Sequence, residues 1–165
     1  MKTFEQFLYE MPMAIRGLPE LDDGVADPGP SPQISEFQGH SVHYKDGHFV
    51  FREPNGTAAM RIGTRKLKAE PNHHVVAMAE KKVGSKLKYH QALKHLIVHH
   101  NLTISSDKEQ VPQAQAAWHK LANDPQIDVQ HHHEGKRLPL DKTIWSNNYG
   151  NSNSRFVARK KDADV

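Results

Sequence analysis

Apolar and polar positions change their period several times along this chain, and each change marks an element. Val42 and Tyr44 alternate with polar neighbours, Asp46-Gly47 follows, and then comes His48-Phe49-Val50-Phe51. Asp-Gly between two such runs predicts a β-hairpin. After Pro54-Asn55-Gly56, Ala58 to Leu67 reads as a third antiparallel strand with Met60, Ile62 and Leu67 on its inward side. Glu70-Pro71-Asn72 breaks that run. His73 to Ala79 then carries the unbroken apolar stretch Val75-Val76-Ala77-Met78-Ala79, expected of a central strand buried on both faces. Tyr89, Ala92, Leu93, Leu96 and Ile97 recur at i, i+3, i+4, i+7 and i+8, which predicts a helix packed on a sheet.

Leu102-Thr103-Ile104 is short and β-prone, and Ala114, Ala117, Trp118, Leu121 and Ala122 return to helical spacing. Ser106 with Glu109 fits a capping box ahead of that second helix, and Pro112 suits its first turn. Trp118 is most simply a core residue of it. Ile127 to Gln130 and Ile144-Trp145 read as strands that close the sheet. The expected fold over 41–145 is α/β of the α+β kind, a mixed and mainly antiparallel sheet flanked by helices.

Outside that span the periods fail. Residues 11–40 hold five prolines and four of the glycines without sustained periodicity and read as a disordered linker. Ahead of it, Phe4, Phe7 and Leu8 make one apolar stripe on a ten-residue amphipathic segment, too short for a helix stable in isolation. Residues 146–165 are Asn, Ser, Gly and charge, and read as a polar, basic and disordered tail.

Composition narrows the function classes. Hydrophobic residues make up 36% of the chain, so the core must be compact. No run approaches the length of a membrane span, and no membrane partner is expected. With no cysteine there are neither disulfides nor thiolate metal sites. A formal charge of +3, with Lys and Arg concentrated from Arg61 to Lys94 and from Arg155 to Lys161, favours an anionic ligand, and weak nucleic-acid contact by the basic tail is a minor expectation. Thirteen histidines, including His131-His132-His133, complete no recognised metal-ligand spacing, and no metal site is expected.

The order of strands and helices, together with Lys81-Lys82-Val83-Gly84-Ser85-Lys86 between the central strand and the first helix, resembles the GNAT family of acyl-CoA-dependent N-acetyltransferases over about two-thirds of the chain. In that family the loop carries Arg or Gln, two residues, Gly, one residue, then Gly or Ala. Here Lys81 stands at the first of these positions, Gly84 matches, and Lys86 replaces the last small residue. The resemblance implies that Met78, Ala79, Lys81, Lys82, Val83, Gly84, Ser85 and Lys86 bind acetyl-CoA, its pyrophosphate at the helix N-terminus. It also implies a base at the start of the fourth strand, where His73 and His74 stand, and a macromolecular amine as acceptor. The usual acid, a tyrosine on the second helix, corresponds to Trp118.

Met-Lys-Thr-Phe-Glu-Gln-Phe-Leu-Tyr-Glu at residues 1–10 resembles the capsid-targeting leader of internal head proteins of T-even-type bacteriophages. That resemblance implies a capsid scaffold and a prohead protease as partners, cleavage after Glu10 or Glu20, and a location in the host cytoplasm or the virion interior. Two functions are therefore expected: a phage-encoded N-acyltransferase, or a non-enzymatic internal virion protein delivered with the DNA.

Overall fold

The computed structural model describes residues 20–21, 25–106, 112–133, 136–138 and 154–162. The described chain forms ten strands: β1 (Glu20–Leu21), β2 (Gln33–Phe37), β3 (His40–Lys45), β4 (His48–Arg52), β5 (Ala58–Lys66), β6 (His73–Lys82), β7 (Thr103–Ser105), β8 (Ile127–His133), β9 (Lys136–Leu138) and β10 (Ser154–Lys160). Two helices accompany them, α1 (Tyr89–His99) and α2 (Pro112–Ala122). All strands join one mixed sheet in the order β2-β3-β4-β5-β6-β7-β10-β8-β9, and β1 pairs with the far end of β6.

The hairpin falls where Asp-Gly predicts it. β3 pairs antiparallel with β4, and Asp46 and Gly47 both take positive φ, 51° and 86°, as a two-residue turn matching strand twist requires. β5 and β6 follow antiparallel, with an irregularity opposite Gly63 and Thr64 that makes Ala77 the extra residue of β6. Every apolar position read as the inward stripe of the first helix is buried in α1. Leu93, Leu96 and Ile97 have no exposed surface, and they share one cluster with Phe51, Met60 and Ile62 of the sheet and Trp118 and Leu121 of α2. Pro112 is the first residue of α2. Lys94 Nζ and Asp124 Oδ2, 2.7 Å apart, tie α1 to the turn after α2.

The architecture is not the expected helix-flanked, acetyltransferase-like α/β layout. Strand accounts for 48% and helix for only 17% of a structure built on one large mixed sheet. Both helices contribute to the same core cluster. The excess strand comes from segments whose composition masked their β character. Within the expected linker, Gln33–Phe37 forms the edge strand β2 against β3. Within the expected tail, Ser154–Lys160 forms β10, inserted between β7 and β8. Phe156, Val157 and Ala158 are consecutive there between Arg155 and Arg159, all three are buried, and Phe156 lies over Trp118 at 6.4 Å between ring centroids. A strand carrying so few apolar side chains is stabilised mainly by its ladders to two neighbours, which the local sequence does not display.

The amphipathic leader at residues 1–10, Glu109 of the capping box and Ile144-Trp145 lie outside the described residues. Ser106 has another role: its Oγ accepts the Phe156 N–H at 2.8 Å and anchors β10.

Candidate functional site

β6 organises the site. One of its edges is paired to β5 from His74 to Lys81. On the other edge β7 pairs in parallel only with His73, His74 and Val75, and β1 only with Lys81 and Lys82. Between them, residues 76–80 meet no strand on that side among the described residues. Ala77, the extra residue, is exposed there, and Ala79 is buried. Met78 lies across Gly63, where an added Cβ would come within 2.9 Å of its side chain.

The basic loop follows at once. The Ser85 N–H donates to the Lys82 carbonyl at 3.1 Å, closing a turn in which Gly84 has φ of 82°. A Cβ at Gly84 would meet nothing within 4 Å, so the backbone conformation and not crowding favours glycine. Leu87, 1% exposed, pins the loop to the core, and its N–H donates to Ser85 Oγ at 3.3 Å. α1 then begins with no side-chain cap at Lys88 and no acidic residue in its first turn. An uncapped N-terminus leaves N–H groups and a partial positive charge directed at whatever binds there. Val83 and Lys86 are exposed, and Gly84, Ser85 and Lys86 share an open cavity of about 450 Å³ with His40, Glu53, Pro54 and Asn55. Lys82 is partly committed, its Nζ 3.2 Å from both Glu53 carboxylate oxygens.

The two candidate bases separate cleanly. His74 is 4% exposed, packed edge-on against Tyr44 and Phe49. The Thr64 hydroxyl donates to the Gly47 carbonyl at 2.8 Å, so at the 2.9 Å contact with His74 Nδ1 it accepts, and the ring carries its proton on Nδ1. Burial, reinforced by Lys66 and His73, lowers the His74 pKa to about 4. That combination is a core histidine held neutral, and a weak base.

His73 stands in a different setting. Its Nδ1 lies 2.6 Å from Glu70 Oε2, and its Nε2 is hydrogen-bonded to Ser105 Oγ. A carboxylate on Nδ1 fixes the proton there and leaves Nε2 to accept from the Ser105 hydroxyl. The hydrogen bond from His73 holds the Glu70 carboxyl below its ordinary range. Glu70, His73 and Ser105 thus form a continuous polar path from an exposed carboxylate to a fully buried hydroxyl at the point where β6 and β7 part. Ser105 escapes sequence reasoning because only the parallel pairing of Thr103–Ser105 with His73–Val75 brings it across 32 positions. Glu70 sits three residues before His73 beside Pro71, and that spacing was the available signal.

His73 and the basic loop are not neighbours. Lys82 lies nine positions along the strand from His73, roughly 30 Å at about 3.3 Å per residue. The two are joined by β6 itself. No group of three or more side chains that could hold a metal ion occurs among the described residues. Glu20 lies in β1, its backbone in register with Lys81, and Glu10 lies outside the described residues. No family model matches the chain, and no curated protein matches it in sequence.

Proposed function

We propose that this protein binds an acyl-CoA in extended form along β6 and transfers the acyl group to an amine. The observation that carries the reading is the placement of two features at the two ends of one strand: the Glu70–His73–Ser105 path where β6 begins, and the lysine-bearing loop leading to the start of α1, with no side-chain cap at Lys88, where it ends. Phosphates suit the N-terminus of α1 together with Lys86.

In this reading the amine nitrogen attacks the thioester carbonyl carbon and a new C–N bond forms. The amine proton passes to the Ser105 hydroxyl as that hydroxyl's own proton moves to His73 Nε2. The C–S bond then breaks, and the thiolate leaves with coenzyme A. Glu70 stabilises the imidazolium that forms. His74 has no part in it.

The test is a thermal shift with acetyl-CoA, followed by single-turnover acyl transfer to a mixed set of amine acceptors. A ligand bound only by the folded state raises the melting temperature with concentration. Lys86→Glu is expected to reduce the shift, and His73→Ala to leave the shift and abolish transfer. No shift at saturating acetyl-CoA removes the proposal.

A second reading rests on the first ten residues. Leu8-Tyr9-Glu10 ends a leader-like segment, so a packaged virion protein cut after Glu10 is the alternative. Mass spectrometry of purified particles would find a chain beginning at Met11 in that case. A protease cut after Glu20 would sever β1 where it pairs with β6, which favours Glu10 as the point of cleavage.

A further inference from the structure

The strands farthest from the hairpin carry a row of cations on the sheet face turned away from the helices. Phe156 and His131 are register partners, both buried, and Phe156 lies against Trp118 of α2. Side chains alternate along a strand, so their neighbours Arg155 and His132, also register partners, point to the opposite face. Arg137 of β9 is in register with His132 from the other side. Arg155, His132 and Arg137 therefore form one row across β10, β8 and β9, its ends roughly 10 Å apart at the usual strand spacing of about 4.8 Å. Arg159 stands on the same face four residues along β10.

Among the described residues this row is only partly neutralised. Among the described residues no carboxylate lies within salt-bridge distance of Arg137 or Arg155. Arg159 is in register with Asp128, and its field also reaches Glu70, so its charge is partly offset. His132 is held below its ordinary pKa by burial and then by Arg137, Arg159 and Arg155, which places all three guanidinium groups within electrostatic reach of one point. Holding like charges side by side on adjacent strands costs free energy unless an anion meets them. Between the arginines the face carries Gln130 and its register partner Val157, which is buried, and neither Arg137 nor Arg159 is buried. It presents no exposed aromatic ring among the described residues, so it lacks the stacking platforms of single-strand binders. It equally lacks an exposed apolar side chain to enter a bilayer.

We propose that Arg137, His132, Arg155 and Arg159 form a contact surface for the phosphodiester backbone of duplex nucleic acid, read by charge and shape and not by base sequence. Planar guanidinium groups pair with phosphate oxygens in bidentate fashion, and the flat sheet face spaces them along two directions. The surface adjoins the Glu70–His73–Ser105 path, since Ser105 is in register with Val157 between Arg155 and Arg159, but the proposal does not depend on acyl-CoA binding.

The test measures binding of the full chain to a short duplex DNA of arbitrary sequence by fluorescence anisotropy over a series of salt concentrations. Three phosphate contacts give log Kobs against log[salt] a slope of about −2.7. Arg155→Ala and Arg137→Ala are each expected to flatten that slope by about 0.9, and Arg155→Lys to retain it. Lys45→Ala, on the distant hairpin, is expected to leave it unchanged. An unaltered slope in the Arg137→Ala/Arg155→Ala double variant, with an unchanged urea midpoint showing that it folds, overturns the proposal. Tighter binding to single strands than to duplex, or binding to phosphatidylserine vesicles with none to DNA, overturns it as well.

Discussion

Val75 of β6 and Ser105 of β7 are the last residues paired in register before the two strands part. β10 pairs with Ile104 and Ser105 on the other edge of β7, while β6 runs on beside β5 to Lys81, so the hydroxyl of Ser105 sits where β6 and β7 diverge. It is fully buried and hydrogen-bonded to His73.

Ser105→Ala leaves His73 Nε2 without its partner in a buried setting. An unsatisfied buried polar group costs about 1 to 3 kcal/mol, and urea unfolding is expected to show a loss in that range. If acyl transfer occurs, the same variant lowers kcat more than it raises KM, because the hydroxyl acts in the proton path. A loss of stability with an unchanged pH–rate profile would assign Ser105 a structural role only.

Glu80 anchors the far end of β6. It has no exposed surface, and its carboxylate accepts from Arg61 Nε at 3.0 Å and from the Ala26 N–H at 2.8 Å, drawing the segment after β1 onto the sheet. Removing one partner of a buried ion pair strands the other, at a cost of about 3 to 5 kcal/mol. Glu80→Ala is expected to fall in this range by chemical denaturation, and to expose the chain around Val25 to limited proteolysis. Glu80→Ala with wild-type stability would show that water replaces the pair.

Stability should fall as the solution is acidified from about pH 6.5. Burial lowers the pKa of His74 to about 4, and burial with His100 and His99 lowers that of His95 to about 4, against an ordinary value of 6.5. Between these values the unfolded chain takes up protons that the folded chain refuses, so the contribution is complete above pH 6.5 and lost on descending to about 4. The geometry around His95 is specific: its Nε2 and that of His100 both lie 2.8 Å from Ser35 Oγ, which ties edge strand β2 to α1. His95→Gln is expected to flatten the pH dependence of the urea midpoint in this window. Asp27, lowered to about 2 by its hydrogen bonds with Arg52, titrates further down and does not contribute there.

Gly47 tolerates no side chain. Its φ is 86°, and an added Cβ would come within 2.4 Å of the Thr64 carbonyl oxygen. Gly47→Ala is expected to cost about 1 to 3 kcal/mol, the usual scale of local backbone strain, with a further loss from displacing β5. Because Thr64 also holds His74, the variant should loosen that histidine and raise its pKa towards the ordinary value, which NMR titration would read.

The residues of the hairpin, the central strand and α1 were legible along the chain because their determinants are local. Asp46-Gly47 accepts positive φ, Val75 and Val76 suit a strand buried on both faces, and the spacing of Tyr89 to Ile97 permits one helical face. The candidate cofactor loop was legible for the same reason, since its lysines and Gly84 are contiguous. What only the tertiary structure decided was which segments complete the sheet and which distant groups meet. Gln33–Phe37 and Ser154–Lys160 become strands because neighbours supply hydrogen-bond ladders that no local pattern encodes. His73 and His74 are adjacent in the chain and similar in type, yet a strand sends them to opposite faces. One meets Glu70 and Ser105, and the other is sealed beneath Tyr44 and Phe49. Their separate chemistry follows from burial and partners, which belong to the folded sheet and not to the residues themselves.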